Sequence, residues 1–147
     1  MNFKEVKTQA TSQWEMMQHS DKIRILIGMG TCGRAAGAED ILSVLNRKLA
    51  QQHIQAEILQ VGCIGLCYAE PLIEVVKPGM PSIFYGNLTP ELMSEIIEDY
   101  LIHNNPRSDL ALGTRGEGTF VDIPRLFDLP VLKPQVRISL RNCGNID

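Results

Sequence analysis

Four cysteines and a single tryptophan are few for a chain of 147 residues, and aromatic side chains make up only 5% of it. The chain has no run of about 20 apolar residues, the length a bilayer-spanning helix requires. Its first stretch, MNFKEVKTQATSQWEMMQ, has no apolar core or small-residue cleavage site of a secretory signal, so a cytoplasmic location is expected. Cationic excess is missing too. Lys and Arg total 14 against 17 Asp and Glu, a formal charge of −3, which leaves no broad basic surface for nucleic acid. Internal repeats and low-complexity tracts are absent. With 44% apolar and 21% charged residues the composition is that of a chain with a packed core. In a reducing compartment four thiols serve as metal ligands, redox groups or small buried residues more often than as disulfides, and their spacing has to decide.

Residues 1–20 set Phe3, Val6, Ala10, Trp14 and Met17 on one stripe of a helix, with Lys4, Glu5, Lys7, Gln13 and Glu15 between them. Two readings of this amphipathic helix stand side by side: the stripe docks on the domain's own core, or Trp14 and Met17 meet another subunit.

The short β-branched run IRILI at 23–27 reads as a buried strand that opens into a flexible loop, GMGTCG, carrying Cys32. After Gly37, the apolar residues Ile41, Leu42, Leu45 and Leu49 recur at helical spacing, with Glu39 and Asp40 in the first turn and Arg47 and Lys48 in the last, signs that suit the helix dipole. A second strand is expected over 56–61. A β-α-β unit of this kind is right-handed and parallel, so both loops that follow its strands lie at one carboxyl edge of the sheet. Cys32 is on one loop, Cys63 and Cys67 are on the other, and the three can therefore meet. The runs at 72–76 and 82–85, separated by Lys77-Pro78-Gly79-Met80-Pro81, predict a hairpin. Thr89 as N-cap with Pro90 at the first helical position starts a last helix, on which Leu92, Ile96, Ile97, Tyr100 and Leu101 face the core until Asn104. The order is β-α-β-β-β-α. Residues 106–133 hold Gly113, Gly116, Gly118, Pro124 and Pro130 and follow neither period; they are expected to form an extended linker whose Phe120, Leu126, Phe127 and Val131 pack on a neighbour.

The pair Cys63-Ile64-Gly65-Leu66-Cys67 places two thiolates on one loop directly after a strand, and Gly62 and Gly65 allow the backbone to approach a cofactor closely. A CxxxC pair also arises as two buried small residues or as a dithiol redox centre. Arg34, two residues past Cys32, is a tentative cofactor-binding residue that would offset thiolate charge; the alternative is a solvated cation. His19, His53 and His103 stand at polar ends of segments, and none is on the Cys32 loop.

Together, GMGTCGRAAGA before a helix, VGCIGLCYAEPLIEV, a following Tyr and a Thr-Pro-Glu helix start resemble the thioredoxin-like 2Fe-2S ferredoxin domain at the N-terminus of NADH-binding flavoprotein subunits. These subunits belong to complex I and to related soluble hydrogenases and dehydrogenases. PQVRISLRNCGNID at 134–147 resembles the segment with which that family enters its flavin domain. The resemblance implies an α/β, thioredoxin-like β-α-β-β-β-α sandwich over 21–105, preceded by the helix at 1–20, followed by the linker at 106–133, and ending at the truncated start of a flavin and NADH-binding domain.

It implies an electron-transfer accessory domain working beside other subunits or domains of an NADH-linked oxidoreductase, with a 2Fe-2S cluster on Cys32, Cys63 and Cys67 as metal ligands. FMN, NAD and a 4Fe-4S cluster are expected only downstream, and the chain alone is not expected to catalyse NADH oxidation. In cluster-bearing members the first loop supplies two cysteines, whereas here Gly28 and Gly33 stand near those positions and only Cys32 is present. A cluster of this type takes four ligands, so a non-cysteine group, water or another chain completes it, or the domain is a metal-free docking scaffold. Cys143, in its NCG setting, is expected to be structural. Glu70-Pro71 is read as a bend presenting the CxxxC loop; a trans bond is the default, and the family implies a cis one. A thiol-disulfide catalyst using Cys63 and Cys67 is the third reading; the pair lacks the helix N-terminus that lowers a thiol pKa.

Overall fold

The computed structural model describes residues 2–18 and 21–145, with the side chains at 13, 14 and 16–18 left aside. Helix α1 spans Phe3–Gln18. Asn2 and Glu5 cap its start reciprocally: the Glu5 N–H donates to Asn2 Oδ1 at 3.0 Å and the Asn2 N–H donates to Glu5 Oε2 at 2.9 Å. The described part of its apolar stripe is not docked on the core, since Phe3 is 82% exposed and Val6 and Ala10 are exposed with it. Trp14, Met17 and His19 fall outside the residues whose side chains are described.

Strand β1, Ile23–Gly28, is followed by a short helix α2, Thr31–Ala35, and by α3, Ala38–Gln51. The Cys32 loop, expected to be flexible, is thus helical from Thr31 onward. Strand β2, Ala56–Val61, lies parallel to β1, with Ile23 opposite Ala56 and Gly28 opposite Val61. Strands β3, Ile73–Val76, and β4, Ser82–Tyr85, form the expected hairpin, and β3 returns antiparallel beside β1. Helix α4, Pro90–Ile96, starts where Thr89 caps it, with Leu92 N–H donating to Thr89 Oγ1 at 3.3 Å. Its expected continuation to Leu101 widens into a π-type turn over Ile97–Ile102. There the carbonyl of Tyr100 accepts from Lys77 Nζ at 3.2 Å, and Lys77 also donates to Asn104 Oδ1 at 2.6 Å.

The expected linker is corrected in one respect. Residues Ala111–Arg115 form a fifth strand, β5, antiparallel to β4, giving the order β2-β1-β3-β4-β5. This strand has no alternating pattern to betray it; it forms because β4 would otherwise leave its backbone N–H and C=O groups unpaired at the sheet edge.

One face of the sheet buries Ile25, Ile27, Ile73, Val75, Ile83 and Tyr85 under α3, α4 and the π-type turn after it, which contribute Ile41, Leu45, Met93, Ile96 and Tyr100. Each large apolar side chain removed from water contributes about 1.5–3 kcal/mol before the entropy of ordering it is subtracted. The opposite face is covered by Ile64, Leu66, Ala69, Leu72 and Phe84 together with Leu126 and Leu132 from the former linker. Gly113 permits that covering, because a Cβ there would stand 2.7 Å from Leu126 Cα. The apolar residues expected to seek a neighbour thus divide: Leu126 is buried in this chain, while Phe127 and Val131 are 42% and 48% exposed.

Candidate metal centre

The three cysteines Cys32, Cys63 and Cys67 come together at the carboxyl edge of the parallel pair, and their Sγ atoms all lie within 4.8 Å of one another. Among the described residues they form the sole group of three His, Cys, Asp or Glu side chains gathered so closely. Cys32 is in the first turn of α2. Close contact between the two loops depends on Gly30, where a Cβ would be 3.2 Å from Cys63 N and 3.3 Å from Cys63 Cβ. Cys63 follows β2, and Cys67 opens a 3₁₀ turn, Cys67–Ala69. Between them Gly65 takes φ +88°, a conformation open to glycine, and its N–H donates to Cys63 Sγ at 3.2 Å. Cys63 Sγ and Cys67 Sγ are 3.8 Å apart. Two thiolates bound at about 2.3 Å to one tetrahedral ion stand about 3.8 Å apart, so the donor pair fits a single metal ion.

Electrostatics point the same way. Burial and the neighbouring Cys32 thiol push the Cys63 thiol up to about 12. A thiol raised in this way gives up its proton readily only where a cation offsets the charge.

The sequence reading saw Glu70 only as part of a bend. Its side chain is 7% exposed, and its Oε1 accepts from Cys32 Sγ at 3.9 Å. Oε2 accepts from the Leu72 N–H at 3.0 Å. Burial raises its carboxyl above the ordinary range, against the opposing pull of hydrogen bonds with the Cys63 thiol, Leu72 N–H and Cys32 thiol. Room for this carboxylate comes from two glycines: a Cβ at Gly28 would lie 2.9 Å from Oε2, and one at Gly33 3.2 Å from it. The signal available beforehand was an acidic residue three positions beyond Cys67 at the head of an apolar run, a place where an unpartnered carboxylate is costly. The bond between Glu70 and Pro71 is cis.

Arg34 lies beside the site with its guanidinium engaged elsewhere, donating to the Met29 carbonyl at 3.2 Å and to Glu39 at 2.5 Å. Cys143 is not among the three gathered thiols. Its segment folds back over the CxxxC loop: Arg137 donates to the Ile64 carbonyl, Leu140 packs against Gly65, and a Cβ at Gly144 would stand 2.3 Å from Ile64 Cγ2. His53 and His103 are exposed.

The family of thioredoxin-like 2Fe-2S ferredoxins matches residues 11–101. This chain belongs to that family. Its mixed α/β architecture agrees with the fold of solved members: two structures of the thioredoxin-like 2Fe-2S ferredoxin from Aquifex aeolicus superpose with TM-scores of 0.56 and 0.55 at 19% identity. The first covers 69% of this chain and 100% of the ferredoxin, the second 64% and 99%. The NADP-reducing hydrogenase subunit HndB of Solidesulfovibrio fructosivorans is 27% identical over 86 residues, 58% of this chain and 68% of that subunit. The sequence-based expectation of a thioredoxin-like ferredoxin domain agrees with all three. No described helix is long and apolar enough to cross a membrane.

Proposed function

We propose that this chain is an electron-transfer module in which Cys32, Cys63 and Cys67 hold a 2Fe-2S cluster, serving as an accessory domain in a multisubunit NAD(P)H-linked oxidoreductase of the cytoplasm. The observation that carries it is the meeting of three thiols from two loops within 4.8 Å. A bound cluster would supply one-electron storage. The chain's own residues do the rest: Gly65 N–H bonds the Cys63 sulfur, and buried Ile64 and Leu66 keep water from that side of the loop. Hydrogen bonds to sulfur and exclusion of solvent are the levers that set such a centre's potential. Arg34, two residues past Cys32, has its charge already paired with Glu39. The relation to a hydrogenase subunit supports a partner complex, and the likeness of residues 134–147 to the entry of a flavin domain supports FMN, NAD and a 4Fe-4S cluster in neighbouring parts of it. Cys63 argues against thiol-disulfide catalysis, because an attacking thiol needs a lowered pKa and this one is raised.

Anaerobic reconstitution with ferrous iron and sulfide, followed by iron analysis, visible absorption and EPR of the reduced protein, tests this reading. Two irons per chain and a signal lost in Cys32→Ser, Cys63→Ser and Cys67→Ser are expected; a wild-type chain that takes up only trace iron would refute it. A second reading, a metal-free docking domain, draws on the exposed apolar residues of α1. Co-purification with a flavoprotein that survives the double change Cys63→Ser, Cys67→Ser would favour it.

A further inference from the structure

Three sulfurs leave a two-iron cluster one ligand short, since such clusters take four. The side chain that stands next to the gathered thiols is Glu70. It is buried, it is polar, and the backbone around it has been emptied of side chains to admit it. Two of its contacts are with the cysteine thiols themselves, and one oxygen is fixed by the Leu72 N–H at 3.0 Å. Glu70 Oε1 is 3.9 Å from Cys32 Sγ, close to the 3.8 Å between Cys63 Sγ and Cys67 Sγ. Each of these two spans suits two donors on one metal ion, and the three sulfurs also lie within 4.8 Å of one another. Among the described residues the hydrogen bonds to Glu70 come from two thiols and a backbone N–H and from no cation, whereas ion pairs or metal coordination are the usual reasons for burying a carboxylate.

We infer that Glu70 is the fourth ligand of the cluster, completing with Cys32 the coordination of one iron by a sulfur and an oxygen while Cys63 and Cys67 bind the other. The inference rests on the electron-transfer reading above and deepens it. The glycines explain how the site is built: Gly28 and Gly33 carry no side chain where the carboxylate stands, and a substituent at Gly28 would meet Glu70 before anything else.

The geometry also supplies a rescue. Gly28 does not require a positive φ, and the nearest atoms to a Cβ at that position all belong to Glu70. In Gly28→Cys with Glu70→Ala, a thiol replaces the carboxylate in the space it vacates.

The test is anaerobic reconstitution of the full chain with ⁵⁷Fe and sulfide, read by iron content, Mössbauer spectroscopy of the oxidised protein and chelator challenge. The wild type is expected to show two quadrupole doublets of equal area, the one with the larger isomer shift from the iron bearing oxygen. Glu70→Gln, which preserves volume and the acceptor for Leu72 N–H, should release iron to the chelator more than about 100-fold faster, beyond the range typical of changes that only reorient a ligand. The rescue pair should restore loading, with the two doublets drawn together. Circular dichroism and thermal melting of the metal-free variants establish that they are folded; Glu70→Ala alone, if it fails to fold, is replaced by Glu70→Gln as the loss variant. Wild-type spectra and retention in Glu70→Gln, or two equivalent irons in the wild type, would overturn the assignment while leaving the electron-transfer reading standing. Absence of iron from the wild type would overturn both.

Discussion

A Cβ on Gly33 would lie 2.1 Å from the carbonyl oxygen of Gly28, so the first turn of α2 rests directly on the end of β1 with no space for a methyl group between them. This contact fixes where the helix begins and hence where Cys32 stands. Both partners are main chain, so neither can rotate out of the way. Gly33→Ala is expected to cost more than about 2 kcal/mol of unfolding free energy, as overpacking at rigid sites does. Urea denaturation of the metal-free chain measures it, and a loss below experimental error would show that α2 can shift on β1.

The second relationship concerns the face of the sheet away from α3. Glu74, with its side chain only 4% exposed, accepts from Arg115 Nη2 at 2.6 Å and Nε at 3.1 Å, and from the Ser82 hydroxyl. Burial outweighs these donors and raises the Glu74 carboxyl above its ordinary value of about 4.5. Arg115→Met removes the main opposing charge and raises it further. A folded state that binds its proton more tightly than the unfolded one loses stability as pH rises from about 4.5 through the folded pKa. The variant should therefore be less stable than wild type by about 3 kcal/mol at pH 7.5, the low end for breaking a buried pair, and the gap should narrow at pH 5. Equal gaps at the two pH values would contradict this.

Tyr85 carries a third expectation. Its ring is buried in the core beside Tyr100, with centroids 6.4 Å apart, and its hydroxyl donates to the Pro106 carbonyl at 2.5 Å. Burial drives the phenol far above its usual range, so it stays a donor throughout the accessible pH range. Tyr85→Phe keeps the packing and removes the bond, and should lower stability by about 1–2 kcal/mol without changing the slope of a urea titration. Thermal or urea unfolding checks it; an unchanged midpoint would mean that water replaces the hydroxyl.

Much of the fold was legible in the residues because local pattern and tertiary placement agree. The stripe of Ile41, Leu45 and Leu49 and the cap at Thr89 gave α3 and the start of α4, and the handedness of the β-α-β unit brought Cys32 to the CxxxC loop. Where the reading failed, the cause lies outside the local sequence. Ala111–Arg115 becomes a strand by pairing with β4, and Gly113 within it answers to Leu126, which packs across the sheet. The helix at Thr31 follows glycines that ordinarily signal a loop, here serving close contact with β1 and Cys63. Glu70 was hidden for the same reason: its neighbours Gly28 and Gly33 are some forty positions away along the chain, and only the folded backbone sets them side by side.

The strip of chain holding Arg137, Leu140 and Gly144 lies over Ile64, whereas Cys67 is the exposed member of the sulfur trio. Tunnelling rates fall steeply with distance, so a donor or acceptor gains by approaching along the flank of Cys67 and the neighbouring Tyr68, itself 64% exposed. A redox partner arriving over Arg137 and Leu140 would face an intervening layer of polypeptide, which favours approach along the Cys67 rim.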